Sequence, residues 1–402
     1  MNRTPLPASA NVRIRLTRAV KSCTVAVAVL GLLSPAAFAA GPQRDPALKR
    51  EVEAAINRGL NWYKTNQNAN GSWSLPDQPA LTAMVLTAYN GEPSGKYLKH
   101  PTPEMQKGFA FLMSCAQPDG GIHRTNLVTY NTATCMMALI TAHRQEFNPT
   151  IAKARRYLIS LQGDFGEKGK NDSPFDGGIG YGSHYEHSDM GNTLQALEAI
   201  YYSKNISGDR ADSGDKKDLN WQAAIEFLQN CQNLPSHNKQ AWASADSKNT
   251  GGFIYYPGHS MAGAVTNSAT GRVAFRSYGS VSYAGLMSYA YADLKKNDPR
   301  VAALLEWLQK NYTLDENPGM GLEGLFYYYN AMAKALTAYG INELTLANGE
   351  KINWRRDLAK KLLSLQRPDG SWVNESARWW QKDPVLVTGF VVSALEHIDK
   401  GL

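Results

Sequence analysis

The chain has little cysteine and little charge. Four of its 402 residues are cysteine, and 19% of all residues are charged. Cys23 lies in the N-terminal segment described below, which leaves Cys115, Cys135 and Cys231. An odd number of thiols cannot all pair within one chain, so a complete disulfide framework is excluded. A bridge between Cys115 and Cys231 stays open, but three buried, inert thiols are favoured.

Long apolar runs are also missing, and a short one lies near the start. Thr24–Leu33 follows a group of basic residues and precedes the sequence AFA. A basic start, a short apolar run and a small-x-small end predict a secretory signal peptide over residues 1–40. The run is too short for a comfortable membrane span, so no stable span is expected after cleavage. We therefore expect an exported protein, periplasmic or extracellular, with a retained membrane anchor as the alternative.

The positive charge of the chain is concentrated in that same segment. The formal net charge is +7, and residues 1–40 hold five basic residues and no acidic one. Subtracting five from +7 leaves about +2 for the rest of the chain. No basic stripe remains that could follow a phosphate backbone, so no nucleic-acid partner is expected.

One short pattern recurs six times: a helical segment, a glutamine, a glycine turn and an apolar residue. The copies begin at Gln67, Gln117, Gln162, Gln232, Asn311 and Gln366. Insertions stretch the copies at Gln162 and Gln232, and the copy at Asn311 lacks the glutamine. We interpret the glutamine as a joint, because its amide can bond to unpaired helix-end carbonyls or to the backbone of the next repeat. The Asn-Gly or Asp-Gly pair supplies the bend.

A second helical pattern, apolar nearly all round, follows each turn. Such helices are buried on most sides. They are predicted to begin near Gln78, Tyr130, Met190, Ser280, Gly324 and Pro384. Neither end of the chain resembles the polar cap of an open helical stack, whereas a closed ring would bury every inner helix. We predict an all-α fold, an (α/α)6 toroid of six outer–inner helix pairs, forming one domain over residues 41–402.

A long connection, Asn233–Ser277, interrupts the helical pattern. Its segments GGFIYYPGHS and GRVAFRSYG are predicted to pair as a short β-hairpin. Connections of this length in compact domains are usually functional or mobile.

The glutamine, the glycine turn and the tryptophan after an aromatic-Leu helix resemble the QW motif of the terpenoid cyclase and protein prenyltransferase superfamily. The resemblance covers most of residues 46–398. It implies chemistry in a central cavity, at the N-terminal ends of the inner helices, on a hydrophobic or isoprenoid-type ligand. The family's catalytic sets are not present: the chain has no Asp-x-Asp-Asp cluster. It also reads SVSYAG from Ser280, where prenyltransferases have an Asp-x-Cys zinc pair.

Four residues are candidates for acid or metal-binding roles: Asp77, His187, Asp189 and Asp383. Their position near predicted helix starts also fits ordinary N-caps. In the stretch HYEHSD, His184, His187 and Asp189 lie within six residues, a set that suits zinc. A histidine there could instead act as a general acid or base. No other cofactor is indicated.

The predicted ligand-binding residues are His184, Tyr130, Tyr283, Glu323, Phe326 and Trp379. The aromatic members suit apolar, polyene-like or sugar ligands, and ordinary helix packing is the alternative.

Three functions fit these observations. The first is an exported terpenoid cyclase-like or transferase-like enzyme that acts on a hydrophobic small molecule in a central cavity. The second is a non-catalytic binding or scaffold protein with a protein partner. The third is a polysaccharide lyase or hydrolase, for which Asp383 beside Trp379 is the place of interest.

Overall fold

The computed structural model describes residues 45–182, 187–206, 218–244 and 246–402. The α-helices are α1 (Pro46–Thr65), α2 (Pro79–Asn90), α3 (Lys96–Lys99), α4 (Pro103–Ser114), α5 (Val128–Thr141), α6 (Asn148–Ser160), α7 (Met190–Ser203), α8 (Trp221–Asn230), α9 (Gly279–Tyr291), α10 (Pro299–Lys310), α11 (Leu325–Ala338), α12 (Trp354–Ser364) and α13 (Pro384–Asp399). The strands are β1 (Ala264–Thr266), β2 (Val273–Phe275), β3 (Leu344–Thr345) and β4 (Lys351–Ile352). Two short 3-10 turns cover Gln145–Phe147 and Arg378–Trp380.

Six of these helices form a closed inner ring. In order they are α2, α5, α7, α9, α11 and α13, each packed on the next, and α13 packs back on α2. The outer helices α1, α4, α6, α8, α10 and α12 lie against this ring. The predicted (α/α)6 toroid is therefore confirmed, and every inner helix begins within two residues of its predicted start.

Burial separates the two layers as their sequence patterns predict. On the outer helix α1, Val52, Ile56 and Leu60 recur every four residues and are buried, while the opposite face is polar. On the inner helix α9, every residue from Gly279 to Tyr289 is buried. Truncation of Ile56 to alanine would cost about 2–5 kcal/mol, because its cavity lies between two rigid layers.

The repeated glutamines join neighbouring outer helices. The Gln67 amide donates to the carbonyl of Gly71 at 2.9 Å and to that of Glu104, at the start of α4, at 2.8 Å. The Gln366 amide donates in the same way to Gly370 at 2.9 Å and to Ala55 at 3.0 Å. The predicted joint is thus confirmed at these glutamines, and the one at Gln366 links the last outer helix to the first.

A hydroxyl on each of five inner helices completes the joint. The backbone N–H of the apolar residue after the turn donates to it at 2.9–3.0 Å. The pairs are Trp73 with Thr82, Ile122 with Thr132, Ile179 with Thr193, Phe253 with Ser282, and Trp372 with Thr388. This bond satisfies a buried donor that would otherwise be costly.

The long connection contains a hairpin, but its pairing differs from the prediction. Strand β1 pairs antiparallel with β2, with Val265 opposite Ala274. The segment around Phe253 instead bridges to Gln232 and then turns at Tyr256 and His259. The predicted partner was wrong because Phe253 is held by Ser282 on the inner ring.

The three remaining cysteines behave as expected. Cys115, Cys135 and Cys231 are free and buried. Burial raises the pKa of the Cys135 and Cys231 thiols well above the usual range, which makes them poor nucleophiles.

Contacts group residues 44–402 into one compact unit. Within the described residues, no helix is both long enough and apolar enough to cross a membrane. The predicted signal peptide over 1–40 lies outside those residues, so export stays a prediction.

Candidate active site

On several inner helices one face is half-buried, whereas the other faces are packed against neighbouring helices. We call this the axial face, because neighbouring inner helices and the outer layer cover the remaining sides. Its residues recur at spacings of three, four or seven. The half-buried members are Met84, Tyr130, Met137, Gly191, Gln195, Tyr327, Lys334, Ser393 and His397.

Asp189 lies at the start of α7, beside this axial face. It is the N-cap of the helix, and its Oδ1 accepts from the Asn192 N–H at 2.9 Å. Its Oδ2 accepts from the Asn192 side-chain amide at 2.8 Å. The side chain is completely buried. Burial raises the pKa of Asp189 above that of an ordinary aspartate, against the lowering effect of the Asn192 and Tyr255 hydrogen bonds.

A second tyrosine extends this hydrogen-bond chain. The Tyr255 hydroxyl bonds to the Asp189 carboxylate and lies 2.9 Å from the hydroxyl of Tyr181, which is half-buried. The loop that carries Tyr255 is fixed to the helix, because the Met190 N–H donates to the Tyr255 carbonyl at 2.9 Å. The long connection therefore supplies part of the site, as loops of that length often do.

Gly191 leaves space in front of the acid. A Cβ at this position would lie 3.2 Å from Asp189 Oδ1 and 3.9 Å from the Tyr255 hydroxyl. Gly191 is half-buried, although Asp189 behind it is fully buried. A side chain at position 191 would therefore lie directly against the Asp189 carboxyl.

Aromatic side chains surround the middle of the axial face. The Tyr327 and Phe390 rings are 5.6 Å apart, and the Tyr130 hydroxyl lies 3.9 Å from the Met84 sulfur. Burial and the hydroxyl of Tyr181 raise the pKa of Tyr130 to about 12, so this phenol stays neutral at ordinary pH. Burial, followed by Tyr130, also raises the pKa of Tyr327, although their helices lie on opposite sides of the ring. Tyr130 and Tyr327 are therefore near enough to interact electrostatically across the ring.

An ion pair crosses the ring at the other end of the axial face. Lys334 Nζ on α11 lies 2.6 and 2.7 Å from the two carboxylate oxygens of Glu198 on α7. The Tyr291 hydroxyl donates to the same carboxylate at 3.1 Å. Glu198 is nine residues after Asp189, so the two acids are separated by about 13 Å along the helix.

The other predicted acids lie elsewhere. Asp383 is the N-cap of α13, half-buried, and accepts from the Val385 N–H at 2.8 Å and from Ser74. Asp77 is exposed and outside α2, whose N-cap is Gln78. Glu323 precedes α11 and pairs with Arg378 at the surface. The structure does not bring these three residues to Asp189.

The predicted histidine cluster is only partly described. His184 lies outside the described residues. The His187 ring packs against Tyr256 in a tilted arrangement with the ring centroids 4.3 Å apart, and its Nδ1 lies 3.4 Å from the Ser188 carbonyl. Within the described residues, no group of three metal-binding side chains comes together. The zinc site therefore stays a prediction.

Two predicted ligand-binding aromatics are buried in packing contacts. Tyr283 lies 5.6 Å from Tyr328, whose hydroxyl donates to the outer-layer carbonyl of Thr313 at 2.9 Å. Phe326 makes an edge contact with Tyr329 at 5.7 Å. Of the four consecutive aromatics on α11, Tyr327 is the one that is half-buried on the axial face.

Trp379 lies on an exposed rim formed by the loop before α13. Trp379 and Trp380 are 42% and 46% exposed, and both have positive φ values of 52° and 60°. Arg378 lies 4.5 Å over the Trp379 ring and pairs with Glu323. Bulky residues avoid this backbone region, so the backbone is strained at both tryptophans.

Sequence reasoning missed Tyr255, Gly191, Glu198 and Lys334. The two charged residues could have been recognised from the sequence, because Glu198 and Lys334 interrupt helices that are otherwise apolar nearly all round. Tyr255 and Gly191 carried none, since their importance depends on how a distant loop folds over α7.

No family model matches the chain. Its fold is similar to the type II terpene cyclase MstE from Scytonema, solved with geranylgeranyl dihydroxybenzoate, with a TM-score of 0.52 and 12% identity. That match covers 88% of this chain and 99% of the cyclase. The GH76 α-mannanase of Bacteroides thetaiotaomicron matches with a TM-score of 0.52 and 10% identity, over 87% of this chain and 98% of the other. The chain thus has a terpenoid cyclase-like α/α fold, which glycoside hydrolases share.

Proposed function

We propose that the protein is an exported enzyme that protonates an unsaturated, hydrophobic substrate in a central cavity, with Asp189 as the proton donor. The observation that carries this is one buried carboxyl, with a raised pKa, beside a glycine gap on an aromatic axial face. The fold shared with a type II terpene cyclase supports it.

The residues fit the chemistry step by step. The Asp189 O–H proton adds to one alkene carbon, and the π electrons form the new C–H bond. The neighbouring carbon becomes a carbocation, which Tyr130, Tyr327 and Phe390 can stabilise through their ring faces. A further double bond can attack this cation to form a C–C bond, and loss of a proton restores an alkene. Tyr181, a half-buried phenol, and Tyr255 can relay that proton to the Asp189 carboxylate, which restores the donor.

Solvent deuterium tests this proposal. The purified chain is incubated in D2O with squalene and with geranylgeraniol, and the products are analysed by gas chromatography and mass spectrometry. We expect a product that carries one deuteron, and a loss of about 10²–10⁴-fold in the rate with Asp189→Asn. Asp383→Asn is the matched control, since it changes an N-cap aspartate away from the axial face. Equal rates for the two variants would show that Asp189 is not the proton donor.

A glycan-directed function is the second candidate, favoured by the exposed tryptophan pair. Trp379 and Trp380 offer two ring faces, and the Arg378–Glu323 pair beside them offers hydrogen bonds. The glycoside hydrolase among the fold neighbours adds support. Release of reducing ends from α-mannan, abolished by the double change Trp379→Ala and Trp380→Ala, would favour this function over the first.

A further inference from the structure

The far end of the axial face carries polar groups that the proton donor does not need. Asn330 lies three residues after Tyr327 and four before Lys334, so the three share one face of α11. Asn330 is 9% exposed. Within the described residues, its Oδ1 atom has no hydrogen-bond partner. A buried amide oxygen without a donor is destabilising, so a donor is expected there.

A histidine on the neighbouring inner helix α13 lies near enough to Lys334 to sense its charge. His397 lies seven residues after Phe390 on α13, which puts it two turns away on the same face. Its Nδ1 atom is also buried without a partner among the described residues. Burial and the nearby charges of Lys400, Lys334 and Arg355 lower the pKa of His397 well below the usual range, so the imidazole is neutral.

The charges at this end of the axial face determine which kind of ligand group can bind there. Glu198 and Lys334 neutralise each other, and the Lys334 side chain is 19% exposed. An anionic group on Lys334 would lie against the Glu198 carboxylate and be repelled. A hydroxyl can both donate and accept, so it matches Asn330 Oδ1 and the lysine ammonium together.

We propose that the Lys334–Asn330–His397 end of the axial face binds the hydroxyl head of an amphiphilic substrate, whose hydrocarbon part extends toward Asp189. This subsite rests on the proposed function and specifies its substrate class as an unsaturated alcohol. Lys334 lies about 10 Å beyond Tyr327 along α11, a distance that a short hydrocarbon segment can span.

Binding of three matched probes tests the subsite without any reaction. Geraniol, geranic acid and the hydrocarbon myrcene share a carbon skeleton type and differ in the head group. Isothermal titration calorimetry of the full purified chain should give an affinity for geraniol at least tenfold above that for either of the others. Asn330→Leu should reduce geraniol to the level of myrcene.

A paired variant protects the test against misfolding. Lys334→Met alone would leave the Glu198 charge buried, so it is made together with Glu198→Gln. The matched control is Lys310→Met with Glu306→Gln, which removes an exposed ion pair of equal length on an outer helix. We expect the first pair to lose the preference for geraniol and the control to keep it.

The outcomes separate this inference from the proposed function. Stronger binding of geranic acid, equal binding of all three probes, no binding, or an unchanged preference in the Glu198–Lys334 pair would each overturn it. Asp189→Asn should still bind geraniol, because the head subsite needs no proton transfer. If the protein prefers geraniol but incorporates no deuterium, the proposed reaction is wrong and the proposed subsite still stands.

Discussion

Asp189 and Asp383 occupy the same position on two inner helices, but their surroundings differ. Both are N-caps that accept a backbone N–H in the first turn. Asp189 is completely buried and bonded to a tyrosine, whereas Asp383 is half-buried and bonded to Ser74. Capping alone therefore does not distinguish the two acids. Their surroundings do, because burial raises the pKa of Asp189.

The sharpest test of this difference is the cost of removing each carboxyl. Asp189→Ala should lower the free energy of unfolding by about 2–4 kcal/mol, because the Asn192 donors and the Tyr255 hydroxyl lose a buried acceptor. Asp383→Ala should cost about 1 kcal/mol, the usual value for a lost N-cap. Urea denaturation followed by circular dichroism measures both. Equal costs would mean that Asp189 is no more than an ordinary cap.

Access to the acid is the next point at which the two helices differ. Gly191→Ala should reduce turnover about tenfold, because the added Cβ would lie 3.2 Å from Asp189 Oδ1 and cover it. Gly389→Ala is the matched control: it places a Cβ 3.3 Å from the Tyr63 hydroxyl, away from the acid. Steady-state rates and thermal melts of both variants check this. Undiminished activity in Gly191→Ala would show that substrate does not approach through this gap.

The hydrogen bond between Tyr255 and Asp189 should affect how the activity depends on pH. A proton donor works in its protonated form, so activity falls as the pH rises through the pKa of Asp189. The Tyr255 hydroxyl lowers that pKa, so Tyr255→Phe should move the falling limb to higher pH. Tyr256→Phe, next to it in the same loop, should leave the limb in place. A shift in the opposite direction would contradict the assigned hydrogen bond.

The smallest effect concerns the backbone that leads to Asp383. The Asp383 N–H donates to the Trp380 carbonyl at 2.8 Å, so this cap depends on a turn in which Trp380 has a φ of 60°. Trp380→Gly should be more stable than Trp380→Ala by about 1 kcal/mol, because glycine adopts positive φ without strain. Thermal melts of the two variants decide this. Equal stabilities would mean that the turn relaxes once the indole is removed.

The fold could be predicted because the same pattern of outer helix, glycine turn and inner helix occurs six times in the sequence. The periods of the inner and outer helices, and the glutamine and glycine between them, repeat along the chain, so an error in one copy is corrected by the others. The ring itself followed from the absence of polar caps. The fifth copy, which has Asn311 in place of the glutamine, still forms an outer–inner pair.

The candidate site was predictable only in part, because it belongs to a single copy. Asp189 and Tyr130 were identified from their place at helix starts and on an apolar helix. Tyr255 reaches Asp189 across more than sixty residues of chain, and no local pattern indicates that contact. Tyr283 and Tyr327 have equal hydropathy, and the rotation of each helix, set by its neighbours, decides which one reaches the axis.

The contact between the last inner helix and the first pair has a topological consequence. Lys49, in the first turn of α1, bonds to both the carbonyl and the carboxylate of Asp399 at 3.1 and 2.7 Å, so the ends of the toroid meet. A ring with adjoining ends has no intrinsic first repeat, and any exposed joint could serve as the opening of a circularly permuted chain. The chain could then begin at different joints and still form the same ring, whereas the candidate site belongs to one repeat.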